Sequence, residues 1–341
     1  MNSTQQSNDQ KFRAIVVTED ENGGFSCKIH SKKISELPAH DVLIKVLFSG
    51  LNYKDTLSAS GHKGITRRFP HTPGIDAAGI VVESADQKFQ AGDEVIVTGY
   101  DLGMNTSGGF AEYIKVPVGW VVKKPDGLSL EESMIIGTSG FTAASAIFEI
   151  LQHGIRPEDG KILITGASGA VGSMAVAMLA KMGYKVIAST GKAEAGVILK
   201  QIGASEITGR EAIDDKSGKG LLPSRWIAAL DTVGGNTLAT ALLSTAERGL
   251  VANCGMLASD KLEVPVFPFI IRGVRLVGIA SADTPMSRRL EIWKLIADKL
   301  KSEHLHSLAQ TISLDEVPEA LIRMKASENI GKILVKVRSE K

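Results

Sequence analysis

The chain has 341 residues, 43% of them apolar and 23% charged, and its 39 Lys and Arg residues nearly balance 38 Asp and Glu residues. This length predicts about two domains, and the composition excludes a disordered chain. A formal net charge of +1 provides no basic field for nucleic acid, so we expect no nucleic-acid partner. The two cysteines, Cys27 and Cys254, cannot build a disulfide framework or a four-thiolate zinc site, which favours a cytoplasmic location.

Residues 1–11 are mostly polar and lack the apolar core of a signal peptide, so we expect a flexible tail. No stretch reaches the roughly 20 unbroken apolar residues of a membrane helix, and we expect no membrane association.

Short strands dominate the first part of the chain. Segments such as Ala14–Val17, Val42–Val46 and Glu94–Val97 are rich in β-branched residues and are divided by Gly and Pro. They predict a mostly antiparallel β domain, a distorted barrel, over residues 12–139. Residues 283–341 end in another strand-like segment and are expected to complete this domain.

Strands and helices alternate over residues 140–282. The buried strand Lys161–Thr165 precedes the helix Val171–Met182 and the strand Lys185–Ser189, and three further strands follow. This alternation predicts an α/β fold with a doubly wound parallel sheet.

A glycine-rich turn, Thr165–Gly172, joins the first of these strands to its helix. A helix N-terminus has unpaired N–H groups and partial positive charge, and it can hold a pyrophosphate. Gly169 would let the backbone approach the phosphates, and Gly172 would let the helix pack close to the strand. The alternative is a turn whose glycines serve packing only. The predicted contacts with a dinucleotide are Ser168, Gly169, Ala170, Val171 and Gly172.

The end of the second strand indicates which dinucleotide binds. A carboxylate about 20 residues beyond the turn would favour NADH, but Thr190, Gly191 and Lys192 stand there. A hydroxyl and an ammonium suit the 2′-phosphate of NADPH, and Arg210 could close the same pocket. The alternative is that Lys192 and Arg210 are solvated surface charges.

Four segments occur in an order that resembles the medium-chain dehydrogenase/reductases: Gly74–Gly79, Thr165–Gly172, Asp231–Gly235 and Asn253–Gly255. The resemblance covers nearly the whole chain after the tail. It implies a Rossmann sheet together with a mostly β, GroES-like catalytic domain.

The zinc ligands of that superfamily are replaced in this chain. Asn52 and Ile75 stand where zinc alcohol dehydrogenases carry Cys and His, and Asp76 stands at their Glu. A catalytic zinc needs about three protein ligands, so we expect no metal.

Further segments resemble the zinc-free quinone oxidoreductase branch and, more narrowly, the acrylyl-CoA reductases: Leu51–Asp55, Pro73–Asp76, Ile136–Ala143 and Pro268–Ile270. The resemblance implies NADPH-dependent reduction of an activated C=C bond, with acrylyl-CoA giving propionyl-CoA. The alternative is a quinone or enone oxidoreductase of broad specificity. A redox-sensing or RNA-binding protein is a further alternative, and the near-neutral charge counts against it.

Reduction of a conjugated C=C bond places a hydride on the β-carbon and negative charge on the carbonyl oxygen, which needs hydrogen-bond donors. A proton must then reach the α-carbon. The resemblance makes Asn52 and Tyr53 the candidate catalytic contacts, although Tyr53 could instead only shape the cofactor pocket. Asp76 is a third candidate, with a role that could be limited to organising its loop.

The resemblance also implies cofactor contacts from both parts of the chain: Tyr53, Thr56, Asp231, Cys254, Gly255, Met256, Ile270, Ser281 and Lys332. Cys254 fits a packed residue better than a nucleophile. Arg67 and Arg68 could bind the phosphates of a CoA thioester, or could belong to a solvated loop. A homodimer is expected because it is common in the superfamily.

Overall fold

The computed structural model describes residues 10–338, and the chain divides into two compact units. The first comprises Met1–Thr138, Ala282–Leu290 and Ala309–Lys341, and the second comprises Ser139–Ser281 and Glu291–Leu308. Residues 1–9 of the expected tail lie outside the described residues, and Lys11 already opens the first strand.

Strands occur in both units. In chain order they are β1 (Lys11–Glu19), β2 (Phe25–Lys33), β3 (Val42–Leu51), β4 (Asp76–Ser84), β5 (Glu94–Thr98), β6 (Tyr113–Val116), β7 (Val122–Lys123), β8 (Lys161–Ile164), β9 (Lys185–Ser189), β10 (Glu206–Thr208), β11 (Trp226–Asp231), β12 (Thr245–Asn253), β13 (Arg275–Gly278), β14 (Ala309–Ser313) and β15 (Lys332–Lys336).

The helices connect these strands. They are α1 (Tyr53–Ala59), α2 (Leu130–Gln152), α3 (Ala170–Lys181), α4 (Gly196–Gln201), α5 (Gly235–Leu243), α6 (Phe267–Ile270), α7 (Met286–Leu295), which continues as a π-helix over Ile296–Leu300, and α8 (Val317–Lys325). Short 3₁₀ segments are Ile34–Glu36, Val118–Trp120, Pro157–Asp159, Ala193–Ala195, Arg210–Ile213, Leu305–Leu308 and Leu314–Glu316.

The first unit is built on a seven-stranded sheet in the order β14-β15-β3-β4-β5-β7, with β6 also paired to β3. All pairings in it are antiparallel except β14 with β15. Strand β15 places Ile333 opposite Leu51 of β3, so the last strand of the chain pairs within the first unit. The core of the unit includes Ile44, Val97 and Phe110, each fully buried.

The second unit contains a six-stranded parallel sheet in the order β10-β9-β8-β11-β12-β13. The strand order reverses between β8 and β11, which is where doubly wound sheets bind their ligands. The predicted doubly wound sheet is confirmed. Leu163, Ala229 and Val251 lie in its core, and strands buried on both faces explain why the sequence shows continuous apolar runs.

One segment differs from the predicted division. The sequence predicts that all of residues 283–341 belong to the first domain. In the structure, Glu291–Leu308 belongs to the second unit. The reason is the apolar face of α7 and its continuation: Trp293 is buried with its ring 5.8 Å from that of Phe141.

Helix α2 bends at Gly137, whose φ of 47° and ψ of −157° are not helical. The helix is long and apolar enough to cross a membrane by length and composition, but most of it is buried within the fold, as is usual for a core helix. The bend frees the backbone N–H of Thr138 for a contact outside the helix.

Candidate active site

Helix α1 begins at a buried carboxylate. Asp55 Oδ2 accepts a 2.8 Å hydrogen bond from the backbone N–H of Asn52, and its Oδ1 accepts from the N–H groups of Gly74 (3.1 Å) and Ile75 (3.0 Å). Asp55 therefore joins the start of α1 to the loop before β4. Burial raises the pKa of this carboxyl to about 7.

Asp76, the first residue of β4, lies at the centre of a second set of contacts. Its carboxylate accepts from the backbone N–H of Thr138 (3.0 Å), from Thr138 Oγ1 (2.6 Å), from Asn52 Nδ2 (2.7 Å) and from Lys332 Nζ (3.3 Å). These contacts suit the loop-organising role that the sequence left open for Asp76. Its catalytic role stays a prediction.

The amide of Asn52 uses both of its hydrogens inside the unit. Nδ2 donates to Gly50 O (2.8 Å) as well as to Asp76, and Oδ1 accepts from Lys332 Nζ at 2.8 Å. The amide has no further N–H to donate to a substrate oxygen. Lys332 itself is fully buried, and its ammonium has its partners inside the first unit, so its contact with a cofactor stays a prediction.

Tyr53 differs from these neighbours in its exposure. It is the first residue of α1, its side chain is 48% exposed, and its hydroxyl has no hydrogen-bond partner among residues 10–338. Thr56, one turn later, is buried, and its Oγ1 donates to the Tyr53 carbonyl at 2.7 Å. Tyr53 is therefore the side chain of this group that can still donate a hydrogen bond.

The turn between β8 and α3 has the geometry expected of a phosphate-binding turn. Gly169 caps α3 without a side-chain hydrogen bond, so the first N–H groups of the helix remain available. A Cβ on Gly172 would lie 2.4 Å from Gly166 O, so α3 approaches the turn more closely than any side chain would allow. Ser168 Oγ lies 2.9 Å from Thr190 Oγ1 and links the turn to the end of β9.

Arg210 comes against the end of β9. A Cβ on Gly191 would lie 2.2 Å from Arg210 Nε, so the guanidinium packs on this glycine. The backbone N–H of Lys192 donates to Thr190 Oγ1 at 3.1 Å, which turns the chain sharply here. The predicted residues Thr190, Gly191, Lys192 and Arg210 are thus neighbours, and none of the three that follow β9 is a carboxylate.

Asp231, the last residue of β11, forms hydrogen bonds to several segments at the switch point of the sheet. It is fully buried and accepts from Thr165 Oγ1 (2.6 Å), Gly234 N (2.7 Å) and Asn253 Nδ2 (2.8 Å), which joins the end of β11 to the residue after β8 and to the last residue of β12. Burial raises its pKa. Its carboxylate therefore stabilises the strand ends of the sheet, and a direct contact between Asp231 and the cofactor stays a prediction.

The remaining predicted residues are spread over both units. Burial beside Asp231 raises the pKa of Cys254 to about 12, which does not suit a nucleophile. Met256 and Ile270 are highly exposed, Gly255 O accepts from Asn253 Nδ2, and Ser281 Oγ accepts from Thr142 Oγ1. In the first unit Arg67 and Arg68 are both exposed.

The sequence analysis missed two residues of this site, Asp55 and Thr138. Asp55 stands three residues after Asn52, and this N-cap spacing is a known start signal that could have identified it. Thr138 carried no such signal, because its contact depends on the bend at Gly137.

Two protein-family models match the chain. The alcohol dehydrogenase GroES-like domain matches residues 38–126, and the zinc-binding dehydrogenase domain matches residues 170–298.

Proteins similar over most of their length carry two kinds of name. A Bacillus subtilis protein named as a quinone oxidoreductase, YhfP, is 45% identical over 91% of this chain and 94% of its own. Acrylyl-CoA reductase AcuI of Ruegeria pomeroyi is 36% identical over 96% of this chain and 100% of its own.

Solved structures of similar chains contain nicotinamide dinucleotides. The YhdH oxidoreductase of Salmonella enterica, in complex with NADP, is 40% identical with a TM-score of 0.92 over 96% of this chain and 100% of that chain. The YhfP structure, with NAD bound, is 42% identical with a TM-score of 0.94 over the same shares.

The residues present do not suit the zinc ion in the name of the second family model. Asn52 offers an amide, Ile75 is a hydrocarbon, and the Lys332 ammonium already lies beside the Asp76 carboxylate. No group of three or more His, Cys, Asp or Glu residues that could hold a metal occurs in the part of the chain that the structure describes. A metal ion here would meet the positive charge of Lys332.

We expect Gly172→Ala to destabilise the protein although alanine favours helices. Its Cβ would meet backbone atoms at 2.4 and 2.7 Å, so α3 must move away from the turn. We expect a loss of about 1–3 kcal/mol in the free energy of unfolding, measured by urea denaturation, and weaker dinucleotide binding. Gly119→Ala, where no atom lies within 4 Å of the added Cβ, is the control. Equal stability of the two variants would contradict the close approach.

Proposed function

The chain belongs to the medium-chain dehydrogenase/reductase family, in its quinone oxidoreductase-like branch, and we propose that it reduces an activated C=C bond with NADPH. The observation that carries this proposal is the turn at Gly166–Gly172, at the switch point of a parallel sheet, followed by the carboxylate-free segment Thr190–Lys192. The dinucleotides bound to YhdH and YhfP support it.

The second unit supplies the cofactor contacts. The N-terminus of α3 would receive the pyrophosphate, and Lys192 and Arg210 would receive the 2′-phosphate through charge-assisted hydrogen bonds. When bound, NADPH supplies the hydride. The exposed Met256 and Ile270 would cover the dinucleotide with apolar side chains.

The first unit supplies the polar groups for the substrate. Addition of a hydride to the β-carbon moves negative charge to the carbonyl oxygen, and a donor aimed at that oxygen stabilises the enolate. We assign this role to the Tyr53 hydroxyl, because the amide hydrogens of Asn52 are already donated within the unit. Proton transfer to the α-carbon completes a saturated product. In a quinone, one hydride and one proton would likewise give the hydroquinone.

We propose acrylyl-CoA, giving propionyl-CoA, as the substrate, with a quinone or simple enone as the alternative. The AcuI name favours the thioester and the YhfP name the quinone. The loop before β4 supports a thioester. In it, Lys63 is held by Glu19 (2.9 Å) and by the rings of Phe25 and Phe69. Arg67 and Arg68 therefore stand exposed on an anchored loop, where CoA phosphates could bind.

The purified protein is expected to oxidise NADPH faster with acrylyl-CoA than with 1,4-benzoquinone or a simple enone, as compared by kcat/KM from the loss of NADPH absorbance. Tyr53→Phe should lower kcat for the thioester, since it removes the donor to the enolate and keeps the ring. Fast turnover of the quinone alone would refute the thioester assignment.

Neutralising Arg67 and Arg68 together should raise KM for acrylyl-CoA about tenfold, since each lost phosphate contact weakens binding, and should leave KM for the small enone nearly unchanged. Steady-state kinetics of Arg67→Ala/Arg68→Ala give both values. The control is Arg156→Ala/Arg323→Ala, which removes two exposed arginines elsewhere. An equal change for both substrates would argue against CoA contacts at this loop.

Lys192→Asp should weaken the binding of NADPH more than that of NADH, by about tenfold or more in the ratio of Kd values, because a carboxylate repels the 2′-phosphate. Calorimetry with each coenzyme measures the ratio. Lys185→Asp, at the opposite end of the same strand, should leave it unchanged. If Lys192→Asp lowers both affinities equally, the 2′-phosphate lies elsewhere.

We also propose that the protein is a cytoplasmic homodimer joined at β13. This strand is the last in its sheet, and Leu276 on it is 37% exposed. Val266 and Ile271, which precede β13 in the sequence, are 60% and 61% exposed. An open strand edge with apolar neighbours is an aggregation hazard unless it is covered, and a second copy of the same edge can cover it about a twofold axis.

Cys27 and Cys254 are free thiols, which supports the cytoplasmic part of this proposal because the cytoplasm is a reducing compartment.

Leu276→Glu should convert the dimer to a monomer, because it places two carboxylates in the apolar contact. Light scattering after size-exclusion chromatography gives the mass. Ile322→Glu, on an exposed position of α8 in the first unit, should remain a dimer. A dimer that tolerates Leu276→Glu would place the interface elsewhere.

A further inference from the structure

A lysine ammonium lies in the interior of the first unit. Lys332 and Asp76 are both fully buried, and Nζ lies 2.8 Å from Asn52 Oδ1 and 3.3 Å from Asp76 Oδ2. Burying a charged group is costly unless it is paired and hydrogen-bonded. Two acceptors on separate segments of chain therefore converge on this one cation.

The backbone leaves room for the ammonium at two glycines. A Cβ on Gly50 would lie 2.9 Å from Lys332 Nζ, and a Cβ on Gly137 would lie 3.2 Å from it and 2.5 Å from Asp76 Oδ2. Any side chain at either place would collide with the charged pair. The space between Gly50, Gly137 and Asp76 therefore fits an ammonium on an unbranched alkyl chain and has little room for a larger head group.

The contact continues to the exposed tyrosine. Asn52 is fixed through its side chain by Lys332, Asp76 and Gly50, and its backbone N–H is bound by Asp55. Tyr53 follows directly and opens α1. The direction in which the Tyr53 side chain leaves the backbone is thus set by a residue that the ammonium holds in place.

We propose that Lys332 is a positioning residue for Tyr53, an internal cation at the place where the zinc enzymes of the superfamily bind their metal. It acts through the Asn52 amide, which it holds against Asp76. This inference rests on the proposed function in giving Tyr53 the donor role, and it adds the group that orients the donor.

A purely structural role would consist of neutralising Asp76. The double variant Lys332→Met/Asp76→Asn separates the two roles, because it removes both charges and keeps the side-chain volumes similar. Lys332→Met alone leaves a buried carboxylate without its cation and should lower Tm, and the double variant should recover most of that loss. In both variants Asn52 Oδ1 has lost its ammonium donor.

If Lys332 positions Tyr53, the double variant should recover the Tm of the wild type but still show a kcat for the alkene at least tenfold below that of the wild type. Its KM for NADPH should be unchanged. Recovery of both Tm and kcat would overturn the proposal. Lys336→Met, on the same strand, is the matched control and should match the wild type in both.

A second readout needs no turnover. The chain has four tyrosines, so fluorotyrosine labelling gives four ¹⁹F resonances, and Tyr53→Phe assigns one of them. The Tyr53 resonance of the cofactor-free protein should shift in Lys332→Met/Asp76→Asn and stay in place in Lys336→Met. An unshifted resonance would overturn the proposal. If the wild type reduces no alkene, the proposed function fails, and the resonance still decides the inference.

Should the double variant fail to fold, Lys332→Arg replaces it. The guanidinium keeps the charge but exceeds the space between Gly50 and Gly137. Positioning predicts a shifted Tyr53 resonance and a lowered kcat, whereas neutralisation of Asp76 alone predicts wild-type values, which would overturn the proposal.

Discussion

The buried carboxylate of Asp76 is the contact on which the first unit depends. It joins the end of β3, the start of α1, the bend of α2 and the start of β15, segments far apart along the chain. A carboxylate removed from water must be met by several donors, and the donors here come from three segments of the chain, at Asn52, Thr138 and Lys332. The electrostatic requirement of one side chain therefore fixes the relative placement of four elements.

Asp231 performs a comparable task in the second unit with neutral donors only. A hydroxyl, an amide and backbone N–H groups satisfy it, and together they tie the neighbouring strand ends at the switch point. Both units thus carry a buried acid close to residues that the sequence predicts to be functional. Such acids keep the backbone rigid around groups that must be held to within fractions of an ångström.

The parallel sheet could be predicted from the sequence because its signals are local. Lys185–Ser189 was identified residue for residue, and the helix after Gly169 to within a residue at either end. Helix α2 was not predicted, since its glycines at 137 and 140 suggest a break and its apolar residues cover more than one face. The sequence also does not show that Glu291–Leu308 belongs to the second unit, because this assignment depends on the packing of Trp293 against Phe141. At the candidate site, local motifs were enough to predict the close backbone approach at Gly172 and the carboxylate-free segment Thr190–Lys192. The partnership of Lys332 with Asn52 spans 280 residues and leaves no local trace.

The position of Lys332 after every strand of the second unit has a consequence for biosynthesis. A growing polypeptide that has not yet emerged as far as β15 has no ammonium to place beside Asp76, so this carboxylate stays without its cation until Lys332 has been made. The first unit, whose opening strands are synthesised first, therefore obtains the buried ionic partner of Asp76 only after all strands of the second unit have been made.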